Sequence, residues 1–255
     1  MALYGLLGDI HGNLEALEAA LDGLDRLGAE RLLCVGDLVG YNADGDACVA
    51  LLRERGAACI AGNHDLIGTG RLGFERCSNK AMHALKRTRR ALAPCTAEYL
   101  RALPSHLRVE ERVLLTHGGV RDVQQYMTQP DHVAENIAYL RADFPGTHVC
   151  FYGHTHEQRV FEIDGIAIAT LPAEGCVRLR DGREYFVNPG SVDASRKRGA
   201  RRAECAVFDS AEASVAFHRF EYNDAASESK AASHGYRIER WRDRLYDVQR
   251  RLAGS

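Results

Sequence analysis

The sequence predicts an α/β fold, because short strand-like apolar runs alternate with helical patterns along most of the chain. The first two-thirds of the 255 residues show this alternation, as in the strand-like run 3–7 followed by a helical pattern over 14–28. The β-α-β-α-β rhythm is typical of a mostly parallel sheet covered by helices. After residue 157 the runs become short and β-type, and Asp-Gly pairs at 164–165 and 181–182 indicate hairpin turns.

The first helix is predicted from its apolar spacing. Its leucines recur three and four residues apart and therefore share one helical face: Leu14, Leu17, Leu21 and Leu24. Asn13 precedes them as a candidate N-cap, and Gly28 follows as a candidate stop.

The remaining elements are predicted in the same way. Further strands are predicted at 31–36, 57–62, 112–119, 147–156, 159–170, 184–192, 204–210 and 214–222. Further helices are predicted at 45–56, 75–103, 131–144 and 236–252.

We expect residues 1–222 to form a single domain. Within it, the helical segment 66–106 lies between two strands that carry motifs, where it could cover the site. The polar stretch 223–235 (NDAASESKAASHG) is expected to be a flexible linker to a C-terminal amphipathic helix.

The composition argues against several classes of protein. A net charge of −2 gives no general attraction to nucleic acid or to an anionic membrane. No apolar run approaches the ~18 residues of a membrane span, and the N-terminal sequence is unlike a signal peptide. The eight cysteines are scattered without a CxxC pair. We therefore expect buried free thiols in a reducing cytoplasm and no disulfide framework.

Side chains of the kinds that bind metals recur where the predicted strands end. They are Asp9, His11, Asp37, Asn63, His64, His117, His154 and His156. In open α/β sheets, groups at the carboxyl ends of the strands meet in one crevice. Adjacent glycines allow sharp turns and a close approach to a metal or a phosphate. Each motif alone has an ordinary explanation as a turn, but their joint occurrence favours one metal site.

The motifs also resemble those of a known family. GDIHGN (8–13), GDLVGY (36–41), GNHD (62–65), THGG (116–119) and GHTH (153–156) together resemble the signature of the calcineurin-like metallophosphoesterases. The later NPGSV (188–192) resembles the small prokaryotic phosphodiesterase branch of that superfamily. The resemblance implies a metallophosphoesterase-type α/β sandwich, in which helices flank a mixed β-sheet core and the active site lies at the C-terminal ends of strands.

Two divalent metal ions are implied by the same resemblance. One ion would be held by Asp9, His11 and His156, the other by Asn63, His117 and His154, and Asp37 would bridge the two. Imidazole and carboxylate donors suit Mn, Fe, Zn, Co or Ni, and the lack of cysteine ligands disfavours a structural zinc site.

The implied reaction is hydrolysis of a phosphoester by in-line attack of a metal-bridging hydroxide, without a covalent phospho-enzyme. Two cations ~3.5–4 Å apart acidify a shared water and bind both the attacking and the departing oxygen. His64 is the expected catalytic residue, which would stabilise the transition state or protonate the leaving oxygen. A histidine that only supports its loop is the alternative. For Asp65 we favour a structural role, orienting that loop or capping the next helix.

Departures from the family pattern narrow the substrate. Phosphoprotein phosphatases of the superfamily carry GDxVDRG, whose Arg grips the phosphate, whereas Gly40 and Tyr41 stand at those places here. A phosphodiesterase is therefore the leading interpretation. A phosphomonoesterase or phosphoprotein phosphatase, a dinucleoside polyphosphate hydrolase, and a non-catalytic metal-binding scaffold are the alternatives. Nucleotides are candidate substrates, and nucleic acid is expected only as a substrate. No membrane partner is expected, and the chain could form a homo-oligomer.

Further polar residues are candidates for substrate binding. Arg121, Asp122 and Tyr126 follow the THGG motif closely. The basic run 195–202 (SRKRGARR) follows NPGSV, and its Arg196 and Arg198 could attract phosphate to the mouth of the site. Ordinary loop residues and a solvated loop are the alternative interpretations.

Reversing the charge of Arg196 and Arg198, by substitution with Glu, should raise KM for a phosphodiester with little change in kcat. The reason is that a rim of positive charge concentrates an anionic substrate without taking part in the chemical step. Steady-state kinetics at low ionic strength measure the effect, and an unchanged KM would count against a substrate-attracting role for this run.

Overall fold

The computed structural model describes residues 2–193 and 201–253, which form twelve strands and eight helices. The strands of the first part are β1 (Leu3–Leu7), β2 (Arg31–Cys34), β3 (Ala58–Cys59), β4 (Leu107–Glu110), β5 (Val113–Leu115) and β6 (Val149–Phe151). The later strands are β7 (Arg159–Asp164), β8 (Ala167–Leu171), β9 (Cys176–Arg178), β10 (Glu184–Asn188), β11 (Arg202–Asp209) and β12 (Ser214–Glu221).

Helices separate the strands of the first half and end the chain. They are α1 (Leu14–Arg26), α2 (Gly45–Glu54), α3 (Asn63–Gly68), α4 (Asn79–Ala91), α5 (Pro94–Ala102), α6 (Pro130–Asp143), α7 (Asp224–Ser233) and α8 (Arg240–Ala253). Arg196 and Arg198 lie outside the described residues.

The strands form two six-stranded mixed sheets. The first has the order β3-β2-β1-β11-β12-β9 and the second β4-β5-β6-β10-β7-β8. The β1–β2, β2–β3, β5–β6 and β6–β10 pairs are parallel, and the other neighbours are antiparallel. The predicted α/β fold with a mixed core is confirmed, whereas the expectation of a mostly parallel sheet is wrong, because the β-rich second half contributes antiparallel strands to both sheets.

Side-chain alternation along β1 defines the layers. Tyr4 and Leu6 are buried in the cluster between the two sheets, whereas Leu7 belongs to the cluster beneath α1. A Cβ on Gly5 would lie 2.9 Å from the Leu24 side chain, so α1 packs close to the strand there. The second sheet is covered in the same way, since Leu140 of α6 packs in the cluster on its outer face. Helices therefore cover both outer faces of a two-sheet core.

Two local expectations need correction. The stretch 223–235 is not a linker but contains α7, whose N-cap Asn223 accepts a hydrogen bond from the backbone of Ala226 at 3.1 Å. Its small residues let it pack closely, and Ala231 is fully buried. The Asp-Gly pair at 181–182 does not join a hairpin, because β9 pairs with β12 in one sheet and β10 with β6 and β7 in the other. A turn signal is local and does not specify which strands pair.

Two other local expectations are met, the cap at Asn13 and the hairpin turn at 164–165. The Asn13 side chain caps α1 by accepting a hydrogen bond from Ala16 N at 3.2 Å. The Asp-Gly pair at 164–165 joins β7 to β8 as an antiparallel hairpin. All eight cysteines are free, and all except Cys95 and Cys176 are buried. Among the described residues, no helix has the length and apolar character needed to cross a membrane.

Ion pairs attach α7 to the body of the protein. The Lys230 ammonium lies 2.7 Å from Glu15 at the start of α1 and 2.7 Å from Asp44 just before α2. All three side chains are no more than one-third exposed. These ion pairs fix α7 against the start of α1 and against the residue that precedes α2.

Lys230→Met should lower the free energy of unfolding by about 1–2 kcal/mol, because it leaves two partly buried carboxylates without their cation. Urea denaturation measures the loss. Arg202→Met is the control, since its partner Glu221 is 82% exposed; we expect a change of no more than about 0.5 kcal/mol there. Equal effects in the two variants would contradict the anchoring role of Lys230.

Candidate metal centre

The metal-type residues predicted from the sequence converge where the parallel strands end. Asp9 and His11 follow β1, Asp37 follows β2, Asn63 opens α3 after β3, His117 follows β5, and His154 and His156 follow β6. All of these side chains are buried, with no more than 4% of any of them exposed. The two sheets thus contribute ligand-type groups to one place.

Asp9, His11 and His156 form one group. His156 Nε2 lies 3.3 Å from Asp9 Oδ1 and 3.0 Å from His11 Nε2. Candidate ligand atoms of the three residues all lie within 4.8 Å of one another, close enough to hold one ion.

Asp37, His117 and His154 form a second group with the same spacing. His117 Nε2 lies 3.3 Å from Asp37 Oδ2 and 3.0 Å from Asn63 Oδ1, so Asn63 lies beside this group. Asp37 Oδ2 is also 3.8 Å from His11 Nε2 in the first group. The position of Asp37 between the two groups is the geometry that a bridging carboxylate needs.

Unsatisfied atoms indicate that these groups could bind cations. Asp9 Oδ1 and Asp37 Oδ2 are buried and have no hydrogen-bond partner among the described residues. A buried carboxylate oxygen without a partner costs free energy that a cation can offset. The mixture of carboxylate, amide oxygen and imidazole donors fits divalent ions such as Mn, Fe, Zn, Co or Ni.

The backbone at these residues has an uncommon conformation. Among the described residues, the non-glycine positions with positive φ are Ala213 and five of the candidate ligands: Asp9, His11, Asp37, His154 and His156. Such left-handed conformations can cost ~1–3 kcal/mol each and cluster at functional sites, where the surrounding structure maintains them. The strain therefore points to the same residues as the unsatisfied oxygens do.

Asp65 holds the loops after β2 and β3 together. Its carboxylate accepts hydrogen bonds from the backbone amides of Asp37 (2.8 Å), Val39 (3.1 Å) and Gly62 (2.9 Å). Burial, and secondarily the charge of Asp37, raise the pKa of Asp65 to about 7. A side chain on Gly62 would overlap with Asp37, so the close approach of the two loops requires glycine there. These contacts agree with the structural role favoured for Asp65.

Two of the metal-type histidines, His117 and His64, differ in the direction in which the protein shifts their pKa. Burial alone would lower the pKa of His117, but the Asp37 and Asp9 carboxylates and the Val35 carbonyl together outweigh burial and raise it to about 9. Binding of a cation to His117 would therefore release a proton. Burial lowers the pKa of His64 to about 4, so its imidazole is neutral at pH 7.

His64 lies at the edge of both groups. Its ring is 4.4 Å from the His11 ring and 4.7 Å from the Tyr41 ring. Ligand atoms of His11, Asp37 and His64 also lie within 4.8 Å of one another, so His64 is close enough to be a ligand itself. Its expected catalytic role stays a prediction.

A cavity of about 380 Å³ opens beside the centre. Asn63, His64 and His154 line it, and so does Tyr126, whose ring lies 4.1 Å from that of His154. Arg121 does not line this cavity; its guanidinium pairs with Asp143 at 2.7 Å because its loop turns it toward α6. Contact of Tyr126 or Arg121 with substrate stays a prediction.

The structure also brings to the cavity residues that sequence analysis did not identify as site residues. Tyr41, Arg76, Lys80 and Gln124 line it. Arg76 donates to both carboxylate oxygens of Asp122 and, at 2.9 Å, to the Gln124 carbonyl. There was some reason in the sequence to single out Tyr41, because it stands where the phosphoprotein phosphatase motif has arginine. Arg76 and Lys80, before and within α4, lie in no motif and could not be identified in this way.

Comparison with known proteins identifies the family. The sequence model of the calcineurin-like phosphoesterase superfamily domain matches residues 2–213. An uncharacterised protein of Methanocaldococcus jannaschii is 29% identical over 229 residues, which are 87% of this chain and 88% of that protein.

Solved structures agree with this family assignment. A metallophosphoesterase from Sphaerobacter thermophilus is 28% identical and superposes with a TM-score of 0.79 over 95% of this chain and 96% of its own. A hypothetical protein from Pyrococcus horikoshii, 17% identical, has the same fold, with a TM-score of 0.71 over 96% of this chain and 97% of its own.

Asp37→Ala should reduce metal binding at both groups, because Asp37 lies between them, whereas His156→Ala should affect one group alone. We expect about two Mn ions per wild-type chain, fewer than one in the Asp37 variant and about one in the His156 variant. Elemental analysis after dialysis measures the stoichiometry, and circular dichroism checks the fold. Asp25→Ala, at an exposed ion pair with Arg55, is the control. Full loading of the Asp37 variant would contradict a bridging role.

Proposed function

The chain belongs to the calcineurin-like phosphoesterase superfamily, and we propose that it is a metal-dependent phosphodiesterase with a dinuclear centre. The observation that carries this proposal is the position of Asp37 between two groups of imidazole and carboxylate ligands. A cavity beside those groups offers space for a small phosphoester. The arrangement supports hydrolysis of a substrate bound in that cavity.

Two divalent ions, when bound, would lower the pKa of a water molecule. Their positive charge would also stabilise the attacking and the leaving oxygen during in-line displacement at phosphorus. The residues of the chain would hold those ions: Asp9, His11 and His156 on one side, Asn63, His117 and His154 on the other, and Asp37 between them. Their fixed, buried positions favour this role, because ligands that are already oriented need little reorganisation.

His64 would interact with the leaving oxygen. Its Nδ1 is buried, and a Cβ on Gly40 would overlap with it, so Gly40 closes that side of the ring. Nε2 is then the ring nitrogen available to the cavity that His64 lines. As a neutral imidazole, His64 can donate one hydrogen bond to the departing oxygen and so stabilise the charge that develops there.

The surroundings of His64 favour a diester over a phosphoprotein. A phosphoprotein phosphatase motif would require Asp at position 40 and Arg at 41. Gly40 has φ +150°, and a Cβ there would also lie 2.8 Å from His11 Nδ1. The Tyr41 ring packs on His11 and His64, with ring centroids 4.7 Å apart in each pair. A neutral phenol thus replaces the arginine that would grip a dianionic monoester.

We place the protein in the cytoplasm, because its eight free cysteines fit a reducing compartment.

With Mn²⁺ added, the protein should hydrolyse bis(p-nitrophenyl) phosphate faster than p-nitrophenyl phosphate or a phosphopeptide. Asp37→Ala should abolish activity and metal loading together. Release of p-nitrophenolate and of inorganic phosphate measures the rates, and a preference for the phosphopeptide would contradict a phosphodiesterase.

His64→Ala should lower kcat by about 10²–10³-fold, the usual cost of removing one hydrogen-bond donor to the transition state, while metal content stays near two ions. His218→Ala, a histidine stacked on Phe220 and absent from the cavity lining, should keep full activity. Full turnover in the His64 variant would remove it from the mechanism, and loss of one ion would assign it as a ligand.

A further inference from the structure

The wall of the cavity beside the metal centre contains a lysine that forms no salt bridge with a described residue. Lys80 lines the cavity in the first turn of α4, and its Nζ lies 5.7 Å from the centroid of the Tyr41 ring. Within the described ranges, no salt bridge involves Lys80, although the carboxylates of Asp193 and Glu228 and the cations Arg201 and Arg237 act on its ammonium from farther away. The other cation in the wall, Arg76, is paired with Asp122.

The other described lysines have different environments. Lys230 is held by two carboxylates, and Lys86 lies 4.8 Å from the Tyr246 ring of α8 and is not part of the cavity wall. Among the described lysines, Lys80 is therefore the one that lines the cavity.

The position of Lys80 on its helix is electrostatically unfavourable. The N-terminus of a helix carries partial positive charge, so an acidic residue is stabilising there and a cation is not. α4 has no acidic residue in its first turn and carries Lys80 instead. Departures from the preference for acidic residues at a helix N-terminus are expected at functional sites. The partial positive charge of the helix N-terminus and the Lys80 ammonium would together attract an anion.

Aromatic surface lies between this cation and the metal centre. The Tyr41 ring contacts both His64 and the Lys80 ammonium. Tyr126, which lies against His154, has 44% of its surface exposed. A flat ring attached to the reacting phosphate could lie against these side chains, since stacked or edge-to-face rings gain about 0.5–1.5 kcal/mol beyond their burial.

We propose that Lys80 binds a second phosphate on the substrate, so that the preferred substrates are nucleotide-type phosphodiesters with one phosphate besides the scissile one. This inference rests on the proposed phosphodiesterase function. The scissile phosphate lies at the metal centre, the base lies against Tyr41 and Tyr126, and the additional phosphate accepts a charge-assisted hydrogen bond from Lys80. Lys80 is a specificity residue and takes no part in the chemical step.

Two chromogenic substrates test this inference, thymidine 5′-(p-nitrophenyl phosphate) and the same compound with a 3′-phosphate. They share the leaving group and the base and differ only in the second phosphate. In the Mn²⁺-loaded wild type we expect KM to be about tenfold lower for the 3′-phosphorylated compound, as one charge-assisted hydrogen bond predicts. Lys80→Met should remove this difference and leave kcat unchanged.

Lys86→Met is the matched control, because it removes a lysine from the same helix outside the cavity wall; it should keep the tenfold difference. Equal KM values for the two substrates in the wild type would overturn the inference. A fall in kcat in the Lys80 variant would also overturn it, because Lys80 would then act at the reacting centre.

Binding measurements separate failure of this inference from failure of the proposed function. Isothermal titration calorimetry should show thymidine 3′,5′-bisphosphate binding about tenfold more tightly than thymidine 5′-monophosphate, and Lys80→Met should abolish the difference. If neither substrate is hydrolysed but this difference is present, phosphodiesterase function fails and the phosphate site stands. If both are hydrolysed and the ligands bind equally, the phosphate site fails alone.

Discussion

The structure depends on the burial of two carboxylates, Asp9 and Asp37, with an oxygen of each left without a hydrogen bond. In a dry environment a carboxylate is tolerated only when positive charge or several donors compensate it. Surrounding imidazoles supply part of that compensation, and divalent ions would supply the rest. The need to bring these groups to one point explains why ordinary preferences of the backbone are overridden around them.

Strain at the centre is maintained by contacts from elsewhere in the fold. The backbone of Asp9 accepts hydrogen bonds from Ser191 Oγ at 2.9 Å and from Asp193 N at 3.1 Å. Asp9 Oδ2 accepts from His154 N at 2.9 Å, which ties the ends of β1 and β6 together across the two sheets. Left-handed residues persist when their neighbours fix them in this way. Ser191 of the NPGSV segment, which the sequence identified as a family motif, thus helps to fix the backbone of Asp9 after the end of β1.

Local sequence patterns were sufficient to predict which metal-type side chains lie close together, because the ends of parallel strands meet at one edge of a sheet. Asp9 and His156 could be placed in one crevice on this ground although they belong to the first and the last of the five motifs, whereas their assignment to the same ion came from the family resemblance. Strand pairing between sheets could not be predicted, since β9 and β10 carry the same kind of pattern but join different sheets. Lys80 could not be recognised either, because its importance depends on the position of α4 above the cavity and not on any motif.

The parts of the chain outside the motifs shape the wall nearest the centre. Arg237 lies beyond residue 213, where the family match ends, and it donates to the Tyr41 carbonyl at 2.8 Å and to Asn42 Oδ1 at 2.9 Å. Glu228 of α7 fixes the same guanidinium, and Arg237 lowers the pKa of that carboxyl to about 2. The C-terminal segment therefore sets the loop that presents Tyr41 to His64. Because the metal-type residues resemble those of the whole superfamily, the differences that select a substrate have to lie in walls of this kind. Here the start of α4 and the residues before it line the cavity, as does the loop after β5, and the C-terminal segment fixes the loop that carries Tyr41.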